Sequence, residues 1–384
     1  MKNPIRRRSP RAYLTLAAAC TAALAAGASA QAAMHLTAGA APQACTKVKG
    51  PAHVGRFAGI IHAQRIGSLV HICGDLPNGT PPLIWHGGPV MQTPSTGPAI
   101  VTPIFWNPPG HPMSATYKNI IIQYLSDVAA ASGTHTNVYS TVDEYFGSNG
   151  AMSYHVKLGT PINDTNPLPA SSCKVQPKDT TAIYADNAGY NACTDDAQVV
   201  AEIKNVVKAN KLPVDYGHIY VLYQAKGVES CFFAGSTASG TRNACTINYE
   251  KSAAYCAYHT QASGGLVYAN LPYPIYASPV GFTCGSDAIF PVVQTPNGNA
   301  DADTEISPTS HELMESFTDP DTATGWFDSS GFENGDECAY VFGVTKGTAP
   351  QLYNQVISGH HYLTQEEFSN NDFLKTQGGC LQSE

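Results

Sequence analysis

The sequence predicts an α/β or α+β protein: one mixed-sheet domain with flanking helices, stapled by disulfides. Three observations carry this. Short β-prone apolar runs alternate with longer segments of helical period. No internal repeat or low-complexity linker divides the chain. Of eleven cysteines, ten lie between Cys45 and Cys380 and none forms a CxxC pair, which fits a disulfide framework better than a zinc ribbon or a redox motif.

The elements follow in order. Residues 100–106 read as a buried strand, although Pro103 favours an edge or a bulge there. Residues 114–132 read as an amphipathic helix, with Ile120, Ile121, Tyr124, Leu125 and Val128 at helical spacing. A second helix starts near Thr141, around Val142 and Phe146, and 153–158 alternates like a strand. A third helix covers 195–210: Val199, Val200, Ile203, Val206 and Val207 line one side, and Pro213 lies beyond its end. Residues 218–223 form a buried strand, and 254–259 and 265–271 two more.

Residues 1–30 have the layout of a secretory signal peptide. Lys2, Arg6, Arg7, Arg8 and Arg11 make a basic start, an apolar run follows, and Ala28-Ser29-Ala30 offers small residues for cleavage. The apolar run is too short to span a bilayer, so the expectation is export, with no membrane attachment after cleavage. Residues 31–84 read as an N-terminal arm or pro-segment, and 85–384 as the candidate metallohydrolase domain. Loss of 1–30 removes five positive charges and no negative one, taking the formal net charge from −8 to −13. Such an acidic chain without a basic run excludes nucleic acid as a partner.

The strongest chemical signal is Ser310-His311-Glu312-Leu313-Met314-Glu315. Pro308 suits a helix's first turn and Ser307 its cap. Four residues apart on one helical face, His311 and Glu315 can hold one metal ion, while Glu312 can act as general base on water. This is the logic of a zincin-like HExxH helix, with Glu in place of the second His. Asp319 and Asp321, or Glu333, Asp336 and Glu337, are spaced to supply a third ligand. Upstream, residues 297–305 put an oxygen-bearing side chain at every second position, a pattern that suits calcium. His259 ends the 254–259 strand, where it can approach a cleft.

The segments Trp85-His86-Gly87-Gly88-Pro89-Val90-Met91 and Phe105-Trp106, then Pro296-Asn297-Gly298-Asn299, the HExxE helix, Asp319-Pro320, Gly325-Trp326, Gly335-Asp336-Glu337-Cys338, Tyr353-Asn354-Gln355 and Cys380 together resemble the phosphate-induced protein 1 / EXORDIUM-like family. The resemblance spans most of 84–380 apart from its middle. It implies an extracellular protein of related fold and assigns no reaction. The family pattern pairs the HExxE helix with a following Glu-x-x-Asp-x-Cys element, which moves the third-ligand choice to Glu333 and Asp336.

Three readings compete. One is a secreted zinc hydrolase, most simply a peptidase, with His311, Glu315 and Glu333 or Asp336 on the metal and Glu312 as base. Another is a non-catalytic extracellular protein that binds cell-wall polymers or a protein partner. The last is a glycosidase using Glu312 or Glu315 with Asp336.

Overall fold

The computed structural model describes residues 60–62, 64–65, 76–170, 173–175, 177–233, 244–246 and 255–384. These fall within one unit, Lys47–Glu384. The signal segment, Cys45 and Cys73 lie outside the described residues. The structure has the mixed α/β architecture that the sequence predicts.

Its main sheet is built from β1 (Ile60–His62), β2 (Ala99–Trp106), β3 (Val156–Leu158), β4 (Ile162–Asp164), β5 (His218–Tyr223), β6 (Tyr255–Ala262) and β7 (Leu266–Leu271). The order is β1-β6-β7-β5-β2-β3, with β4 pairing β2 beyond the end of β3. Strands β7, β5, β2, β3 and β4 run parallel, and β6 is reversed between β1 and β7.

Both faces of the sheet are covered, and side chains of β5 alternate between them. Ile219, Val221 and Tyr223 join the larger core, which includes helix α1 (Ala115–Ala130). Tyr220 and Leu222 join the smaller core under helix α2 (Asp196–Ala209). This period-two split explains why these strands read as continuous apolar runs.

Pro103 lies in the sheet interior, contrary to the edge or bulge expected of it. The reason is local. Ala99 donates its N–H to His155 O on the β3 side, and Ile100 donates to Gly217 O on the β5 side. Position 103 shares the parity of Ala99, so its missing N–H would face the β3 side. There β3 pairs only with 99–101 and β4 only with 104–106. Proline occupies the one gap where no donor is needed.

Caps fix the helices. Ser114 accepts from Tyr117 N at 3.1 Å, and Asp195 and Gln198 form a reciprocal capping box. The segment near Thr141 is a short 3₁₀ helix, Val138–Glu144, and Phe146 lies beyond it in a two-residue strand.

Helix α3 (Ala300–Thr318) corrects a further expectation. Asn299 caps it, accepting from Ala302 N at 2.9 Å, so Pro308 is interior and Ser307 is not its cap. Ser307 Oγ instead accepts from Gln365 N at 3.0 Å. An interior proline costs about 3 kcal/mol. Burial of Ala302 and Ile306, and the bond from Tyr117 Oη to Glu305 Oε2 (3.0 Å), hold the first turns against that cost.

Four disulfides join described residues: Cys173–Cys193, Cys231–Cys245, Cys256–Cys284 and Cys338–Cys380. No helix among the described residues is long and apolar enough to cross a membrane.

Residues of the 31–84 arm are woven into the rest. β1 takes the outer edge of β6, with Ile60 opposite Tyr258, and Gln64–Arg65 pairs with Phe282–Thr283. Thr80 Oγ1 bonds Asp328 Oδ2 at 2.6 Å.

Candidate metal centre

Three elements bring the site together. Along β6, Tyr258 belongs to the α2-side core and Ala257 to the opposite one, so alternation turns His259 toward α3. Helix α3 supplies His311, Glu312 and Glu315, and Asp319 caps its end. The one-turn helix α4 (Asn334–Glu337) follows Glu333 and carries Asp336. Asp336 N donates to Glu315 Oε1 at 2.9 Å, docking α4 on α3. Gly335 permits the approach, since a Cβ there would lie 2.7 Å from His311 Cγ.

The side chains form two linked groups. His311 Nε2 lies 2.9 Å from Glu315 Oε1 and 3.8 Å from Asp336 Oδ1. His259 Nδ1 lies 3.2 Å from Glu312 Oε2 and 3.4 Å from Glu315 Oε2, and its Nε2 lies 3.9 Å from Glu333 Oε1. Ligand atoms of His311, Glu315 and Asp336 sit within 4.8 Å of one another, as do those of His259, Glu315 and Glu333. Around a zinc ion at 2.0–2.2 Å from each donor, tetrahedral neighbours are about 3.4 Å apart. The observed separations straddle that value, so these groups could hold a metal ion.

All of these side chains are buried except that of Asp336, which keeps 16% of its surface. His311 Nε2 and Glu312 Oε1 make no aligned hydrogen bond. The outer nitrogens, by contrast, are committed. His311 Nδ1 meets Gln365 Oε1 at 3.1 Å, and that amide is oriented by its own Nε2, which donates to Gly335 O at 2.7 Å. His259 Nε2 donates to the backbone carbonyl of Asp319 at 2.9 Å. A carbonyl oxygen only accepts, so these nitrogens carry hydrogens; His311 Nε2 faces Glu315 and Asp336, His259 Nδ1 faces Glu312 and Glu315, and Glu333 lies on the Nε2 side of His259.

The electrostatics reflect that crowding. Burial pulls both histidines down, but the carboxylates outweigh it: Glu333 foremost for His259, Glu315 for His311, leaving each well above its ordinary value. Burial pushes Glu312 up to about 7, tempered by His259. Glu315 is pushed up by burial too, but His311 and then His259 hold it at about 2. Asp336 is raised by burial and by Glu315, and Asp319 by burial and by Glu333. A proton and a metal ion compete for the inner nitrogen of each imidazole.

The structure thus gathers His311, Glu312, Glu315, Glu333 and Asp336, but splits Glu333 and Asp336 between the two groups. Asp319 joins the cluster. Asp321 stays outside, its Oδ1 turned to Ala323 N. His259 enters from 52 residues upstream of His311, and Gln365 from 54 downstream; Gln365 gave no signal in the sequence. Residues 297–305 do not converge on a shared calcium position. Asp301 binds Tyr273 and Tyr276, Asp303 binds Asn297 and Asn299, and Glu305 binds Tyr117. The cysteine groups close enough for a metal are occupied by disulfides. Glu315 and Asp336 oxygens lie within 4.8 Å, with His311 against both.

The fold and the site define a mixed α/β, disulfide-linked protein with a buried histidine–carboxylate centre. Compared with family models, curated proteins and solved structures, the chain matches none.

Proposed function

We propose that the protein is an exported zinc-dependent hydrolase acting on peptides. One observation carries this reading: the ligand atoms of His311, Glu315 and Asp336 lie within 4.8 Å of one another, and Glu312 follows His311 on the same buried helix, its Oε2 3.2 Å from His259 Nδ1. When bound, zinc would supply a Lewis acid and make water more acidic. His311 Nε2, Glu315 Oε1 and Asp336 Oδ1 would hold it. Gln365 would keep His311 in the tautomer that presents Nε2. Glu312 would take the proton from water, as a buried carboxylate next to a metal ligand can. Asp336, the partly exposed member, marks the side from which substrate would arrive. The disulfides support export, as does the EXORDIUM-like resemblance carried by the HExxE and Glu-x-x-Asp-x-Cys elements.

The burial of the centre favours a second reading, a closed structural ion in a non-catalytic extracellular protein that binds wall polymers or a protein partner. Elemental mass spectrometry of the oxidised protein, with a peptide-library assay, separates the two. Under the hydrolase reading wild type holds zinc and cleaves peptides. His311→Ala loses the ion it ligates and the cleavage, and Glu312→Gln keeps that ion and loses cleavage. Zinc without cleavage of any peptide moves the assignment to the structural reading. An active Glu312→Gln protein removes Glu312 as base.

A further inference from the structure

We propose that the centre is dinuclear, with Glu315 bridging two divalent transition-metal ions. This rests on the assignment of His311, Glu315 and Asp336 as ligands and extends it to a second position made by His259, Glu315 and Glu333. The two ligand groups meet in one residue only, and Glu315 offers them different oxygens: Oε1 at 2.9 Å from His311 Nε2, Oε2 at 3.4 Å from His259 Nδ1.

Each histidine is built as a ligand. Its outer N–H is taken by a fixed carbonyl oxygen, Gln365 Oε1 or Asp319 O, so His311 Nε2 is directed at Glu315 Oε1, and His259 Nδ1 at Glu312 Oε2 (3.2 Å) and Glu315 Oε2 (3.4 Å). Outer-side acceptors of this kind orient metal-bound imidazoles. Two imidazoles, one from the sheet and one from the helix, approach the two ends of a single buried carboxylate. Carboxylate-bridged pairs hold their ions about 3.5–4 Å apart, and a carboxylate reaching both is what that spacing requires. A second, independent mark is Glu312. Its Oε2 is 3.2 Å from His259 Nδ1, while its fully buried Oε1 accepts no hydrogen bond. Glu312 therefore lies beside the His259 position, with one oxygen free of hydrogen bonds to orient a water there. The imidazole and carboxylate donors suit zinc or manganese at either position.

The test is metal stoichiometry of the full oxidised chain after equilibration with zinc and removal of free ion. Two zinc ions per chain are expected, falling to one in His259→Ala and to one in His311→Ala. One ion in wild type, kept by His259→Ala and lost by His311→Ala, overturns the second position and leaves the mononuclear assignment standing. No ion in wild type overturns both. Because either variant could misfold, manganese-loaded wild type gives a separate reading by electron paramagnetic resonance. An exchange-coupled pair is expected at saturation, whereas the six-line signal of an isolated ion at every loading overturns the proposal.

Discussion

Gly335 and His311 are in contact across two helices: a Cβ on the glycine would stand 2.7 Å from the imidazole Cγ and 2.8 Å from Nδ1. Those neighbours belong to a fully buried ring whose Nδ1 is held by Gln365, so the ring has little room to yield. Gly335→Ala is expected to push His311 or α4 out of place. Overpacking of this kind costs about 1–3 kcal/mol. Zinc affinity should fall by at least about tenfold, the scale seen when a ligand's support is lost. Calorimetric zinc titration with a parallel thermal melt reads both. Wild-type affinity in the variant would show that α4 does not position the ligand.

Gln365 is the residue whose role is easiest to isolate. Gln365→Leu removes the acceptor for His311 Nδ1–H while keeping an apolar side chain of similar length. Zinc binding is expected to weaken about 10–100-fold. Gln365→Glu keeps an acceptor and should stay close to wild type, even though it loses the donation to Gly335 O. Equal losses in both variants would mean that the contact is packing and not tautomer control.

Asp303 gives a pH-dependent stability effect away from the centre. Burial raises its carboxyl from 3.8 to about 6, although Asn297 and Asn299 donate to it. A raised folded-state value means that the native protein binds more protons than the unfolded chain between these pH values. Stability from the protonated form is therefore present below pH about 4 and is lost as pH rises through about 6. The amount is on the order of 2–3 kcal/mol. Asp303→Asn cannot titrate, so its stability relative to wild type should climb between pH 4 and 6 and level off above. Chemical denaturation across that range checks it, and a flat difference would refute the burial argument.

Much of the scaffold is legible in the sequence because it is locally determined. The helices at 114–132 and 195–210 show themselves through apolar residues at helical spacing. The 218–223 strand shows its double burial as an unbroken apolar run. The failures come from tertiary context. Pro308 looks like a helix start because proline suits a first turn, yet contacts of Glu305 and Ile306 carry α3 through it. Pro103 looks like an edge residue because the gap between β3 and β4 is invisible in one dimension. His311, Glu312 and Glu315 are visible because four residues make a helical turn. His259 joins them through the alternation of β6, and Gln365 through a loop returning to α3, and neither relation has a local period. The division of Glu333 from Asp336 depends on the turn of α4 between them.

Two disulfides lie at the edges of the centre. Cys256 lies three residues before His259, and Cys338 two after Asp336, and each is tied to a distant partner. While reduced, those thiols are softer and stronger zinc ligands than carboxylates. A chain meeting zinc before oxidation would offer it thiolates first and strand the ion at the wrong address. Under the zinc assignment, sulfur would have to be retired before the oxygen and nitrogen donors could claim the metal, and loading of the centre would be tied to an oxidising compartment.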